Sequence, residues 1–270
     1  SIGSGSLLSS AGGDILIAGM DAPTSSDGLV GNVLLTGASI DSGTGRIGIY
    51  GKGYGNGNAS AGLILHNGDN VADTTIYSAN RTAQAITIWG DNSGSTNTTS
   101  DGVSAYGYAP LSNRWGYTST HLIASGLKDS ADLANKPGGG ITVVGYAANV
   151  AGTSGAHGII WGWADAIAKD GPITMSGYDY DAAGLYNSAG IYVGQDNAST
   201  YSRFGAWTQF STYSTSTWTD QAGNVIDMTT SSSDITLNAS KFVFLEYANA
   251  VAANGYTFNT TGNLTLQSTG

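Results

Sequence analysis

The sequence predicts an all-β chain folded as a parallel β-helix, a β-solenoid with aromatic-rich loop insertions. Three observations carry that expectation. Short, Gly-bounded apolar triplets recur along the 270 residues, and they recur at near-regular intervals. The polar residues between them are turn formers, with 41 Gly, only 10% charged residues and a single glutamate, Glu246. Exposed helices use Lys, Arg and Glu on their polar face, so the scarcity of these residues argues against helices. Asp, Asn, Ser and Gly favour turns instead, because they bond their own backbone or tolerate positive φ.

The triplet is apolar, any residue, apolar, then a small or aromatic residue, often Gly. It occurs as DILIAG (14–19), NVLLTG (32–37), RIGIYG (46–51), GLILHN (62–67) and AITIWG (85–90). It recurs as GITVVG (140–145), GIIWG (158–162), PITMSG (172–177), GIYVG (190–194), DITLN (234–238) and NLTLQ (263–267), which makes eleven copies. Alternation of this kind puts the first and third apolar side chains on one face of a strand. Ile15, Val33, Ile47 and Leu63 lie 18, 14 and 16 residues apart, and Ile141, Ile159, Ile173 and Ile191 lie 18, 14 and 18 apart. The two sets are offset by 126, 126, 126 and 128 residues, so a larger duplication overlies the short repeat.

Connections of this length are too long for hairpins and carry no helical period, which disfavours a sandwich and a βαβ fold. Stacked coils remain, each with one strong inward strand, one or two weaker ones, and Gly, Asn, Asp and Ser at the corners. With one coil per triplet, eleven coils make a rod of about 50 Å at the strand spacing. The chain is then a single solenoid over 1–270, with regular coils at 11–90 and 140–196 and further coils at 234–270. Insertions fall near 91–139 and 195–233, with a milder interruption at 239–262. HLIAS (121–125) and NVIDMTT (224–230) are expected as additional coils hidden inside the two long intervals.

The insertions are aromatic. The first holds Tyr106, Tyr108, Trp115 and Tyr117, and the second Tyr201, Phe204, Trp207, Phe210, Tyr213 and Trp218. The general burial preference of such rings favours packing of the insertions onto the rod. The functional expectation is an exposed strip for sugar rings or a protein partner, with Tyr106, Tyr108, Trp115, Tyr117, Tyr201, Trp207, Tyr213 and Trp218 as contacts.

The segments GDILIAG, GGITVVG, GPITMSG and GNLTLQSTG, and the stretch from DITLN to the last residue, resemble repeats of the filamentous-haemagglutinin type. Such repeats build large adhesins exported by two-partner secretion, and the resemblance covers about three-quarters of the chain. It implies a right-handed β-helix, an extracellular, cell-surface location and an adhesive or fibre-forming role.

Other functions find little support. Nine basic residues in a chain of net charge −10 give no footprint for nucleic acid, and no stretch of 18 apolar residues spans a bilayer. The opening SIGSGSLLSS has no signal-peptide pattern and reads as an internal fragment or a mature chain. With no cysteine there is no disulfide and no thiolate site. SGAHGIIWG (154–162) resembles a segment of polygalacturonases, but the Asp-Asp pair and the Arg-x-Lys pair of that family are missing, so His157 is expected to fill a corner. Asp179 and Asp181 of YDYD share one face of an extended segment and form a candidate acidic pair for calcium or sugar hydrolysis. A solvated corner is the expected reading of that pair. Asp91-Asn92 and its analogues read as turn residues. Thr36, Thr87, Thr142, Thr174, Thr236 and Thr265 sit in or beside repeat strands. They are expected to share no constant register, which disfavours an ice- or mineral-binding face.

The reading is a non-enzymatic, secreted structural or adhesive segment of a surface fibre, without metal or other cofactor. It self-associates through solenoid ends or continues into neighbouring coils of a longer chain, and it contacts a glycan or cell-surface ligand. The alternative is a carbohydrate-binding or carbohydrate-cleaving β-helix.

Overall fold

The computed structural model describes residues 1–19, 33–53, 61–67, 73–95, 101–107, 120–124, 138–149, 156–162, 164–180, 189–193, 207–215, 217–219, 225–245 and 255–269. Among these residues the chain is all strand and turn, and it is a parallel β-helix of three sheets. The first coil carries β1 (Leu7–Ser9), β2 (Ile15–Gly19) and β3 (Val33–Leu35), and the second β4 (Ser39–Asp41), β5 (Ile47–Lys52) and β6 (Ala61–Asn67). The third carries β7 (Thr74–Ser78), β8 (Ile86–Asp91) and β9 (Asp101–Gly107), and the fourth β10 (Thr120–Ala124), β11 (Ile141–Tyr146) and β12 (His157–Gly162). The fifth has β13 (Ala164–Ala168), β14 (Ile173–Tyr178) and β15 (Ala189–Val193). The sixth has β16 (Trp207–Ser211), a side hairpin of β17 (Thr217–Thr219) and β18 (Val225–Asp227), then β19 (Ile235–Ala239) and β20 (Val243–Leu245). The last has β21 (Gly255–Asn259) and β22 (Leu264–Ser268). Sheet 1 runs β1-β4-β7-β10-β13-β16-β21, sheet 2 runs β2-β5-β8-β11-β14-β19-β22, and sheet 3 runs β3-β6-β9-β12-β15-β20.

Among the described residues, seven strands each in sheets 1 and 2 mean seven coils, not eleven. The rod is therefore roughly 30–35 Å long at the parallel strand spacing. The alternating 18- and 14-residue steps arise because each coil contributes a triplet to sheet 2 and another to sheet 3. Ile15 pairs in register with Ile47, and Val33 with Leu63. The 126-residue offset corresponds to three coils, since β2 and β11 are three places apart in sheet 2.

Stacked apolar ladders fill the interior. In sheet 2 the inward columns run Ile15, Ile47, Ile86, Ile141, Ile173, Ile235, Leu264 and, two residues on, Ile17 to Leu266. Sheet 1 offers a weaker column of Leu8, Ile40, Ile76, Leu122, Ala166, Phe210 and Phe258. Most of these residues belong to one core cluster, which burial of apolar area stabilises coil upon coil.

The long intervals contain coil strands among their described residues. Residues 91–139 hold β9 and β10, so HLIAS is a coil strand as expected, and GVSAYG, which carries no repeat triplet, is another. Residues 239–262 hold β20 and β21. In the interval 195–233, Phe210 is a core residue stacked on Phe258, with ring centroids 4.9 Å apart. NVIDMTT is not a coil. Its β18 pairs antiparallel with β17, and Ile226 and Met228 pack on Ile167, on the outside of sheet 1.

Sheets 2 and 3 meet along a seam of glycines. Gly51, Gly90, Gly145 and Gly177 stack in register at the ends of four successive sheet 2 strands. Each faces a glycine of its own coil in sheet 3, namely Gly62, Gly102, Gly158 and Gly190, and a Cβ on the first would overlap the carbonyl oxygen of the second. The glycine that closes each triplet therefore serves backbone-to-backbone approach.

Candidate functional site

Alternation that sends Ile, Val and Leu inward sends the intervening residues of sheet 2 outward. One outward column reads Leu16, Gly48, Thr87, Thr142, Thr174, Thr236 and Thr265. Five threonines thus share one register in consecutive coils, contrary to expectation, and only Thr36 lies outside the column. The register was obscured because the triplets alternate between two sheets. Threonine is favoured at such half-buried strand positions on packing grounds alone.

The next outward column reads Ala18, Tyr50, Trp89, Val144, Ser176, Asn238 and Gln267. Two residues further along the strands stand Lys52, Asp91, Tyr146 and Tyr178. Aromatic side chains of four successive coils thereby form an oblique strip. Tyr146 and Tyr178 stack with centroids 4.6 Å apart and planes 8° apart, while Trp89 lies 6.0 Å from Tyr146 and is turned by 60°. Tyr50 and Tyr180 remain 37% and 42% exposed, enough for contact with a ligand. Gly48 makes room for Tyr50: a Cβ there would stand 2.7 Å from Cε2 of the ring, so the ring folds back over the strand.

Burial raises the Tyr146 hydroxyl above the usual phenol range, and the neighbouring Tyr178 and Asp91 add to the shift. Tyr180 is raised for the same first reason, then by Tyr146, Asp91 and Tyr178. Both therefore stay protonated and can donate hydrogen bonds at neutral pH. Asp91 Oδ1 accepts the backbone N–H of Ser93 at 2.9 Å, the turn role expected of it, and Oδ2 lies 3.6 Å from Lys52 Nζ. The strip thus carries aromatic faces, hydroxyls and one neutralised ion pair. Tyr50 and Trp89 stand just before the glycine that closes their triplets and Tyr146 and Tyr178 just after it, so the signal that finds the strip is an aromatic residue beside that glycine.

The residues expected from the sequence fare differently. Tyr106 falls in β9, Trp207 in β16 and Trp218 in β17. Tyr213 is half-buried just beyond β16, and its carbonyl accepts the Ser211 hydroxyl at 2.6 Å. Tyr108, Trp115, Tyr117, Tyr201 and Asp181 lie outside the described residues.

Asp179 corrects the expectation of a solvated corner. It is buried, its backbone N–H donates to Ser240 Oγ at 2.8 Å, and Lys241 Nζ lies 3.4 Å from its Oδ2. The partner comes from the next coil, 62 residues away, so local sequence could not reveal it. Lys241→Met is expected to cost about 2–4 kcal/mol, because it strips a buried carboxylate of its cation. Adding Asp179→Asn should recover most of that loss, and urea denaturation of the single and double variants checks it.

His157 is buried at the start of β12. Its backbone N–H donates to Asp101 Oδ1 at 2.9 Å, its Nδ1 lies 3.2 Å from the same oxygen, and its ring meets Tyr192 edge-on. This ties coil 4 to coil 3, in keeping with a corner role. Among the described residues no group of three His, Asp or Glu side chains is placed to hold a metal ion. No protein family, curated protein or solved structure matches the chain.

Proposed function

We propose that the chain is a structural and adhesive segment of a secreted surface fibre, of the kind its repeats resemble, that joins other coils end to end. The supporting observation is the state of the last coil. Leu264 and Leu266 continue the inward columns of sheet 2, yet they are 45% and 43% exposed, whereas Ile235 and Leu237 one coil below are fully buried. Among the described residues β22, β21 and β20 also stand last in their sheets, and β1 and β2 stand first at the opposite end, where Ile2 bridges the outer side of β3. An apolar column flanked by open parallel edges is a template for a further coil. Such a rod works mechanically, holding its loops and outward faces at fixed spacing away from a cell surface.

Sedimentation and electron microscopy of the isolated chain test this reading. Concentration-dependent filaments are expected, with lengths in steps of roughly 30–35 Å, the length of one rod. Leu264→Lys combined with Leu266→Lys should abolish them by placing charges in the joint, with the β-sheet circular dichroism retained. A wild-type chain that stays monomeric at high concentration would overturn the joining role.

A further inference from the structure

We propose that the outward face of sheet 2 is a binding site for a neutral polysaccharide, lying along the strip from Tyr50 through Trp89 to Tyr146 and Tyr178. The site is independent of the end joints and would exist in a monomer.

The aromatic residues do not serve the interior. Each occupies an outward position, and the core is complete without it. Mutual stacking accounts for Tyr146 and Tyr178. It does not account for Trp89, which is turned 60° from Tyr146 and outside that stack, or for Tyr50, which lies over a glycine with more than a third of its surface open. Rings held on a rigid sheet, with little entropy left to lose, are suited to stack on the apolar faces of pyranose rings.

Charge selects the class of polymer. Along the described outward positions of the sheet 2 strands the charged residues are Lys52 and Asp91, which pair with each other, so the face is neutral overall. The chain as a whole carries −10, which repels acidic polysaccharides. Hydroxyl donors flank the rings on both sides, from the threonine column and from the tyrosines. The strip spans coils two to five, three strand spacings or about 14 Å, long enough to seat several sugar rings. A lattice of ordered water would ask for a second regular column of small side chains, and the second column here contains Tyr50, Trp89 and Val144.

Affinity electrophoresis of the full chain in gels containing xyloglucan, hydroxyethylcellulose, mixed-linkage glucan or galactomannan, with alginate and polygalacturonate as acidic contrasts, tests the site. Retardation by at least one neutral polymer is expected, with no retardation by the acidic ones. Trp89→Ala and Tyr50→Ala should each weaken it at least tenfold, with melting temperatures unchanged, whereas Leu7→Ala, an exposed apolar side chain on β1 of sheet 1, should leave it intact. The Leu264→Lys, Leu266→Lys protein should bind as well as wild type, which separates this outcome from end joining. Failure to bind any neutral polymer, equal binding by Trp89→Ala, preference for the acidic polymers, or thermal hysteresis without glycan binding would each overturn the assignment.

Discussion

Gly145→Val is expected to abolish cooperative folding of the central coils, and Gly145→Ala to cost about 3 kcal/mol or more, the upper end for overpacking. Gly145 is buried where sheets 2 and 3 touch, and its Cβ would overlap the carbonyl oxygen of Gly158. The obstacle is backbone, so no rotamer change relieves it. Gly158 stands in equally close quarters, since a Cβ on it would overlap the backbone of Tyr178 and Gly190 in the next coil. Displacing one coil therefore disturbs its neighbours. Since solenoid stability is a sum of nearest-neighbour terms, the damage should stay local. Hydrogen exchange should show lost protection in β11, β12, β14 and β15 while β2 and β5 keep theirs. Gly3 is the control: nothing lies within 4 Å of a Cβ there, and Gly3→Ala should shift stability by less than about 0.5 kcal/mol. The sixth coil shows that corner geometry, not glycine content, sets the rule. There Ala239 takes the place that follows Gly177, and the chain passes from β19 to β20 through only residues 240–242. Ala239 in turn stands 2.7 Å from a Cβ at Gly190, which is why that position still needs glycine.

The triplets reveal the fold class because parallel stacking makes every coil repeat the same inward pattern. They conceal the period because sheets 2 and 3 use nearly the same pattern, so two strands of one coil look like two coils. Sheet 1 is nearly silent in the sequence. β4 and β7 offer one main inward apolar residue each, Ile40 and Ile76, and β13 offers only the small Ala164, Ala166 and Ala168, so the apolar alternation is faint. The oblique strip was legible only once the register was known. Tyr50 and Trp89 are neighbours because Ile47 pairs with Ile86, 39 residues on, and no local reading supplies that partner. Asp179 illustrates the opposite error. YDYD has the composition of an exposed turn, yet strand parity directs Tyr178 outward and Asp179 inward, toward Lys241.

Trp161→Ala should be among the costliest core truncations, about 3–5 kcal/mol, while Trp161→Phe should be close to neutral. Trp161 is fully buried on the inward face of β12, between Ala105 and Val193 in its own ladder, with Phe210 6.2 Å away in a tilted contact. Its cluster also contains Ala164, Ala166 and Ala168 from β13, so one large ring is balanced by small neighbours. Alanine would leave a cavity that rigid stacked coils cannot close. The indole Nε1, however, is buried without a hydrogen-bond acceptor. An unpaired buried donor costs about 1–3 kcal/mol. Phenylalanine removes that donor and keeps most of the ring, so the relief should offset much of the lost apolar contact. Thermal melts of the two variants decide between this account and simple volume loss. If Trp161→Phe falls midway between wild type and Trp161→Ala, the indole N–H is satisfied in solution, and the penalty assigned to it here does not exist.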